Sequence, residues 1–285
     1  MKLNNSIKGI LCIIASAFFF ALMGLFVQLS GELPSFQKSF FRNAVAAVIA
    51  CIMLVKEGGG FKWQKDCLMP LVLRSLFGTI GILCNFYALD RLILSDALML
   101  NKLSPFFAVI FSFLILGEKI NLIQISMVLT AFIGSLFIIK PTPELINPAS
   151  IAGLIGGICA GAAYTFVRKL SGLGERKAYI VFFFSLFSCL SVLPNMIINF
   201  APMTLMQTIF LLLAGLSATL GQFTITAAYS YAPAREISAY DYTQVVFSTL
   251  LSFIVFRAVP DIFSIIGYVI ICIAVLIMFF RVKHI

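Results

Sequence analysis

The chain has one histidine and very little charge, and each shortage removes a class of chemistry. His284 stands one residue from the C-terminus, so His-centred triads and most histidine metal sites cannot be built. Charged residues make up 11% of 285 positions, against about 25% in an ordinary soluble domain. That is too few to solvate a globular surface. The seven cysteines (Cys12, Cys51, Cys67, Cys84, Cys159, Cys189 and Cys272) are scattered, odd in number and form no CxxC. They read as small apolar packing residues rather than a disulfide or zinc framework. Gly58-Gly59-Gly60 lacks the Lys-Ser or Lys-Thr of a phosphate-binding loop, and no DDxxD or HxxxH pattern of a lipid-modifying enzyme occurs. No cofactor or metal is expected. The net charge of +9 lies in short gaps between apolar runs and forms no basic patch interleaved with aromatics, so nucleic acid is not an expected partner.

What the chain has instead is apolar bulk: 61% hydrophobic residues, thirty of them Phe, and a mean hydropathy of +1.09. A membrane span needs about 20 mostly apolar residues. Ten such runs occur, at roughly 7–29, 35–55, 68–88, 94–116, 121–139, 150–167, 178–198, 205–228, 236–256 and 260–280. The first follows Lys2 and Lys8, is too long for a signal-peptide core and has no small-residue cleavage site, so it reads as a retained helix. Prolines punctuate the span ends, Pro194 among them; Pro105 alone lies well inside a span.

Lysine and arginine alternate between loops. Thirteen fall on one side: Lys2, Lys8, Lys56, Lys62, Lys65, Lys119, Arg168, Lys169, Arg176, Lys177, Arg235, Arg281 and Lys283. Three, Arg91, Lys140 and Arg257, fall on the other. The basic loops predict a multi-pass protein of the plasma or inner membrane with both termini cytoplasmic. Lys56–Lys65 and Arg168–Lys177 are read as these orientation signals rather than as sites.

A shift of 140 positions superposes 74–139 on 214–279 without a gap. It matches Thr79 with Thr219, Gly81 with Gly221, Asp96 with Glu236, Asn101 with Asp241, and Phe113 with Phe253. Near the front, a shift of 144 matches Gly9 with Gly153 and Phe20 with Tyr164. Each half has five spans, an odd number, so the second half must insert upside down. The expected fold is therefore an all-α integral membrane protein of ten transmembrane helices, two inverted five-helix repeats covering residues 1–145 and 146–285.

The five-plus-five spans, the cytoplasmic termini and the stretch Asn101-Lys102-Leu103-Ser104-Pro105 running to Gly117-Glu118-Lys119 resemble the EamA branch of the drug/metabolite transporter superfamily. In the second half, Val245 and Arg257-Ala258 stand where that pattern has proline and Gly-Glu. The resemblance implies a carrier whose relatives move amino acids, nucleotide-like metabolites, drugs and organic ions.

Polar residues inside spans are costly and face a cavity or one another. Helical rise places Arg42 and Lys102 roughly 10–12 Å below the outer boundary, a positive vestibule for a carboxylate or phosphate unless both snorkel to the interface. Arg74 and Asp241 both come out roughly 10 Å above the inner boundary, which predicts an Arg74–Asp241 pair, either a structural ion pair between the halves or a gate or proton-coupling site. Pro105 deprives the Asn101 carbonyl of its helical partner, so Asn101, Lys102 and Ser104 offer polar groups near the midplane unless the kink serves shape alone. Arg74, Gly78, Gly81 and Asn85 form a polar stripe at helical spacing, whereas Gly153, Gly157 and Gly161 form a packing ridge. Tyr164, Tyr240 and Tyr242 either stack on a planar substrate or pack.

The resulting substrate-binding set is Asn85, Tyr87, Asn101, Lys102, Ser104, Tyr164, Gln222, Tyr240 and Gln244; Arg42, Arg74 and Asp241 are gating or coupling residues. The expected function is secondary transport of a small polar metabolite, an amino acid or related carboxylate-bearing compound, by alternating access with proton coupling or exchange. A passive channel or lipid scramblase is the alternative, and a membrane-embedded lipid-modifying enzyme stands behind it. Expected partners are a small-molecule substrate and the bilayer, for a monomer or homodimer.

Overall fold

The computed structural model describes residues 4–58, 60–89, 91–92, 100–119, 121–139, 147–257 and 259–283. The first half supplies α1 (Asn5–Leu29), α2 (Ser35–Glu57), α3 (Leu68–Leu89), α4 (Ser104–Leu116) and α5 (Leu122–Ile139). The second supplies α6 (Pro148–Gly172), α7 (Lys177–Ile198), α8 (Leu205–Tyr231), α9 (Ala234–Ile237), α10 (Thr243–Phe256) and α11 (Ile262–Lys283), with a 3-10 turn, Ser238–Tyr242, between α9 and α10. No strand occurs among the described residues. Eight segments are long and apolar enough to cross a membrane, counting Ala234–Phe256 as one; Ser104–Leu116 and the apolar part of α11, Ile262–Ile277, are shorter. These occupy the ten expected spans. The start of the fourth (94–99), with Asp96, and Lys140 and Ala258 lie outside the described residues.

Local chemistry sets the helix ends. The Asn4 side chain accepts from the Ser6 amide, Asn147 from the Ser150 amide ahead of Pro148 in the first turn, and Thr204 and Gln207 cap α8 reciprocally. Gly58 and Gly117 close α2 and α4 in the left-handed conformation, at φ 71° and 66°.

The bundle is apolar on its outside. Leu122, Ile198 and Leu205 are 84%, 80% and 78% exposed, while alanine, glycine and serine fill much of the interior. A water-soluble surface would not carry so many exposed large side chains, and a lipid-facing one does. Small residues between helices let backbones approach. A methyl built on Gly267 of α11 would lie 2.5 Å from the Gly134 carbonyl oxygen of α5, and one on Gly157 of α6 would lie 2.6 Å from the Leu100 carbonyl oxygen. The glycine ridge on α6 thus packs against residues 100–108.

The most extensive packing joins one half to the other: α1 with α8, α3 with α6, α2 with α7, and α5 with α11. Exchanging the halves turns the first pair into the second and leaves the other two unchanged. Equivalent residues repeat the contact. Ser16 of α1 donates its hydroxyl to the Gly221 carbonyl of α8 at 3.1 Å. Ala160 and Gly81, the positions 144 and 140 residues away, lie backbone to backbone, so that a methyl on Gly81 would sit 3.3 Å from the Ala160 amide nitrogen.

Two proline expectations are corrected. Pro105 does not kink a continuous helix: Lys102 and Leu103 form a turn, and Pro105 stands in the first turn of α4, where its missing N–H has no intrahelical acceptor to lose. Pro194 lies inside α7, near its C-terminal end, rather than at the stop.

Candidate functional site

A cavity of about 630 Å³ runs between the halves. Its mouth is at the α1–α2 turn, where Gly31 and Glu32 are exposed lining residues. Deeper in, the walls carry Arg42 from α2, Arg74, Gly78, Gly81 and Asn85 from α3, Asn101, Tyr164 from α6, Phe184 from α7, Gln222 from α8 and Gln244 from α10. Thus Asn85, Asn101, Tyr164, Gln222 and Gln244 converge on one space with Arg42 and Arg74, and the polar stripe of α3 faces it.

The two arginines are almost fully buried, Arg42 at 7% and Arg74 at 2% exposure, so neither snorkels to an interface. Arg42 donates through Nε to the Met23 sulfur at 3.3 Å and through Nη1 to the Asn43 side-chain oxygen at 3.2 Å. Arg74 donates through Nη2 to the Gln222 side-chain oxygen at 3.2 Å, and its guanidinium lies 4.0 Å over the Phe184 ring. The Arg74 Nε is buried without an acceptor. Among the described residues neither arginine pairs with a carboxylate.

The expected Arg74–Asp241 pair does not form. Asp241 pairs instead with Lys102, whose Nζ lies 3.1 Å from its Oδ2 and donates to the Gln244 side-chain oxygen at 2.7 Å. Estimated depth sets a residue's level but not its direction around the bundle. Asp241 aligns with Asn101 in the repeat, one position from Lys102, and parts near an axis relating two halves meet their own counterparts. The next pair of equivalents does the same: the Tyr242 hydroxyl donates to the Lys102 carbonyl oxygen at 2.9 Å. The acceptor satisfied across the halves is therefore that of Lys102, not the Asn101 carbonyl singled out by Pro105. The expected vestibule changes accordingly: Lys38, Arg42 and Arg74 line it, Arg42 and Arg74 are its buried cations, and Lys102 is held by its own partners.

Four expected substrate contacts stand off the cavity wall: Lys102, held by Asp241 and Gln244, and Tyr87, Ser104 and Tyr240. Tyr87 is 40% exposed, with the Arg91 guanidinium 3.9 Å over its ring, an arrangement suited to a membrane boundary. Ser104 and Tyr240 are buried in packing. Tyr164, by contrast, stacks on Tyr229 with ring centres 5.2 Å apart.

Sequence reasoning overlooked the end opposite the mouth. Arg168, read as an orientation signal, donates through Nε to Glu118 at 3.0 Å and through Nη1 to the Tyr229 and Ser230 carbonyl oxygens. Ser112 donates to the same Glu118, and Arg235 donates to the Lys119 carbonyl oxygen. This strap ties the end of α4 to α6 and α8. An acid placed directly after an apolar span, opposite a basic loop, was the available signal.

Comparison with known proteins bears on this geometry. The model of the EamA-like transporter family matches the chain twice, over residues 7–140 and 147–280. The pseudopaline exporter CntI of Pseudomonas aeruginosa is 31% identical over 278 residues, covering 96% of each chain. A riboflavin transporter of Vibrio cholerae is 28% identical over 267 residues, covering 90% of this chain and 88% of its own. One solved crystal structure superposes with a TM-score of 0.82 at 17% identity, covering 94% of this chain and 95% of that one, which shows a shared fold.

Proposed function

The chain belongs to the EamA-like transporter family, and from that premise we propose that it carries a small carboxylate-bearing metabolite by alternating access as a secondary transporter. Membership makes it a multi-pass membrane transporter and not an enzyme. Substrate, coupling and sidedness are our reading of the site.

The observation that carries the proposal is the cavity between the halves, open at the α1–α2 end and closed at the other by contacts that cross between halves. The Lys102–Asp241 pair and the Glu118–Arg168 strap are such contacts, and the Tyr164–Tyr229 stack, within the second half, lies on the same closed side. Two halves of opposite sidedness, 1–145 and 146–285, would exchange which end is closed by rocking about the substrate. The twofold family match and the exchangeable helix packing support that division. With thirteen basic residues on one side against three on the other, the termini lie in the cytoplasm and the mouth faces out of the cell.

Within the cavity, Arg42 and Arg74 attract the carboxylate, while Asn85, Asn101, Tyr164, Gln222 and Gln244 supply hydrogen bonds and a ring face. Lys102 and Asp241 form the buried gate. A proton on Asp241 would weaken its hold on Lys102, which makes this pair the coupling site for a proton-driven cycle. In an exchanger the substrate itself would do the unlocking.

The test is a metabolite panel in proteoliposomes, with and without a pH gradient. The expected result is saturable uptake accelerated by substrate on the opposite side, with a pH response that Asp241→Asn abolishes. Linear flux without counterflow would identify a passive pore and overturn the reading.

A further inference from the structure

Burying a guanidinium without a counter-charge is expensive, and burying two around one cavity more so. Arg42 and Arg74 are such a pair, held on separate anchors: Arg42 on Met23 and Asn43, Arg74 on Gln222 and the Phe184 ring. Those anchors fix direction without neutralising charge. The Arg74 Nε remains a buried donor with no acceptor. Among the described residues, Glu32 is the one carboxylate lining the cavity, and it stands at the exposed mouth. Asp241 is taken up by Lys102.

From this we infer that the cavity binds an organic anion carrying two separate carboxylates, one for each arginine. The inference rests on the transport reading for its purpose and sharpens it from a carboxylate-bearing metabolite to a dicarboxylate. An amino acid brings an ammonium into a cavity whose described lining holds no acid below Glu32, and one with a neutral side chain also leaves one arginine without a counter-charge. A dicarboxylate neutralises both arginines, and a planar guanidinium edge accepts a carboxylate through paired, charge-assisted hydrogen bonds. Phe184, packed against the guanidinium face, keeps that edge turned.

The experiment uses the purified full chain in detergent, with thermal stabilisation and calorimetric titration by succinate, tricarballylate, acetate, methyl phosphate, glutamate and lysine. Succinate or tricarballylate should stabilise the protein and bind, with acetate, glutamate and lysine much weaker. Arg42→Gln and Arg74→Gln should each weaken succinate binding about hundredfold. Arg74→Lys, which keeps charge and loses the fork, should weaken it about tenfold. Each glutamine variant should melt no lower than the wild type without ligand, because it removes an unpaired buried charge. A variant that merely lost structure would melt lower.

Equal binding of methyl phosphate and succinate would overturn the two-point site in favour of one doubly charged head group. Stabilisation by lysine or glutamate with none by succinate would overturn it outright. Counterflow separates the two readings. Dicarboxylate binding without any counterflow leaves the anion site standing and removes the transporter reading. Counterflow of another metabolite that succinate neither binds against nor competes with does the reverse.

Discussion

The interrupted span of the first half and that of the second make the same departure from helix by different means. In the first, a turn at Lys102 and Leu103 leads into α4, with Pro105 in its opening turn. Residues 100–108 there lie against Gly157 and Gly161 of α6, close enough that a methyl on Gly161 would sit 2.8 Å from the Ala108 amide nitrogen. In the second, the chain unwinds over five residues, Ser238–Tyr242, as a 3-10 turn packed on α1. The 144-residue shift puts Ile13 and Ala17 of α1 where α6 has those glycines. Where α6 has these glycines the backbones meet at a short proline-headed turn; where α1 has Ile13 and Ala17 at the equivalent positions, the break is longer. Both breaks send a charged side chain to the same place, Lys102 from one and Asp241 from the other.

The sharpest way to break this comparison is to remove one partner of that pair. Lys102→Ala or Asp241→Ala alone should destabilise the protein by about 3–5 kcal/mol, because each leaves an unmatched buried charge. Lys102→Met with Asp241→Leu should recover most of the stability and lose transport. The exchanged pair, Lys102→Asp with Asp241→Lys, asks whether the halves are interchangeable here. If the surroundings are near-symmetric it should unfold at higher denaturant than either single change. Unfolding in mild detergent measures all of these, and single variants within 1 kcal/mol of wild type would mean the pair is solvated and not a closed gate.

Glycine contacts give a smaller test of the same asymmetry. Gly157→Ala sets a methyl against a backbone carbonyl oxygen, 2.6 Å away, that cannot move aside without shifting the turn at Lys102. Overpacking of this kind costs about 1–3 kcal/mol. Gly221→Ala meets only the edge of the Phe20 ring at 2.9 Å, and a ring can tilt, so its cost should be lower. Equal losses in thermal unfolding would show that the two close approaches do not differ in rigidity.

Much of this architecture is legible in the residues alone. Apolar runs and the sparse charge mark the spans, and the gapless shift of 140 marks the halves. Asn85, Asn101, Tyr164, Gln222, Gln244, Arg42 and Arg74 stand out as polar groups in lipid-length segments, and they line one cavity. Their pairing was not legible from depth, because rise along a helix says nothing about which way a side chain turns. The repeat alignment held the missing direction: it placed Asn101 opposite Asp241, and so Lys102 beside it. Tyr87 shows the converse failure. Its polarity put it in the binding set, yet an aromatic near a span end is equally suited to a membrane boundary, and Arg91 lies over its ring.

The smallest expected effect concerns a place where the halves differ in sequence and agree in backbone. Gly117 ends α4 at φ 66°, and Arg257, 140 positions later, ends α10 at φ 58°. Each amide donates to the carbonyl of an equivalent phenylalanine, Phe113 or Phe253, at 3.0 Å. Arginine therefore adopts a left-handed cap that a side chain disfavours, and the alignment's clearest mismatch leaves the fold unchanged. Arg257→Gly should raise stability by about 0.5–1 kcal/mol, with the left-handed penalty partly offset by glycine's greater freedom in the unfolded chain. Gly117→Ala should lower it by a similar amount. Opposite signs from the two changes would show that the cap geometry, rather than the residue, is the shared property of the halves. If Arg257→Gly instead lowered the melting temperature, the arginine would be contributing a contact worth more than its backbone strain, and the two ends would not be equivalent after all.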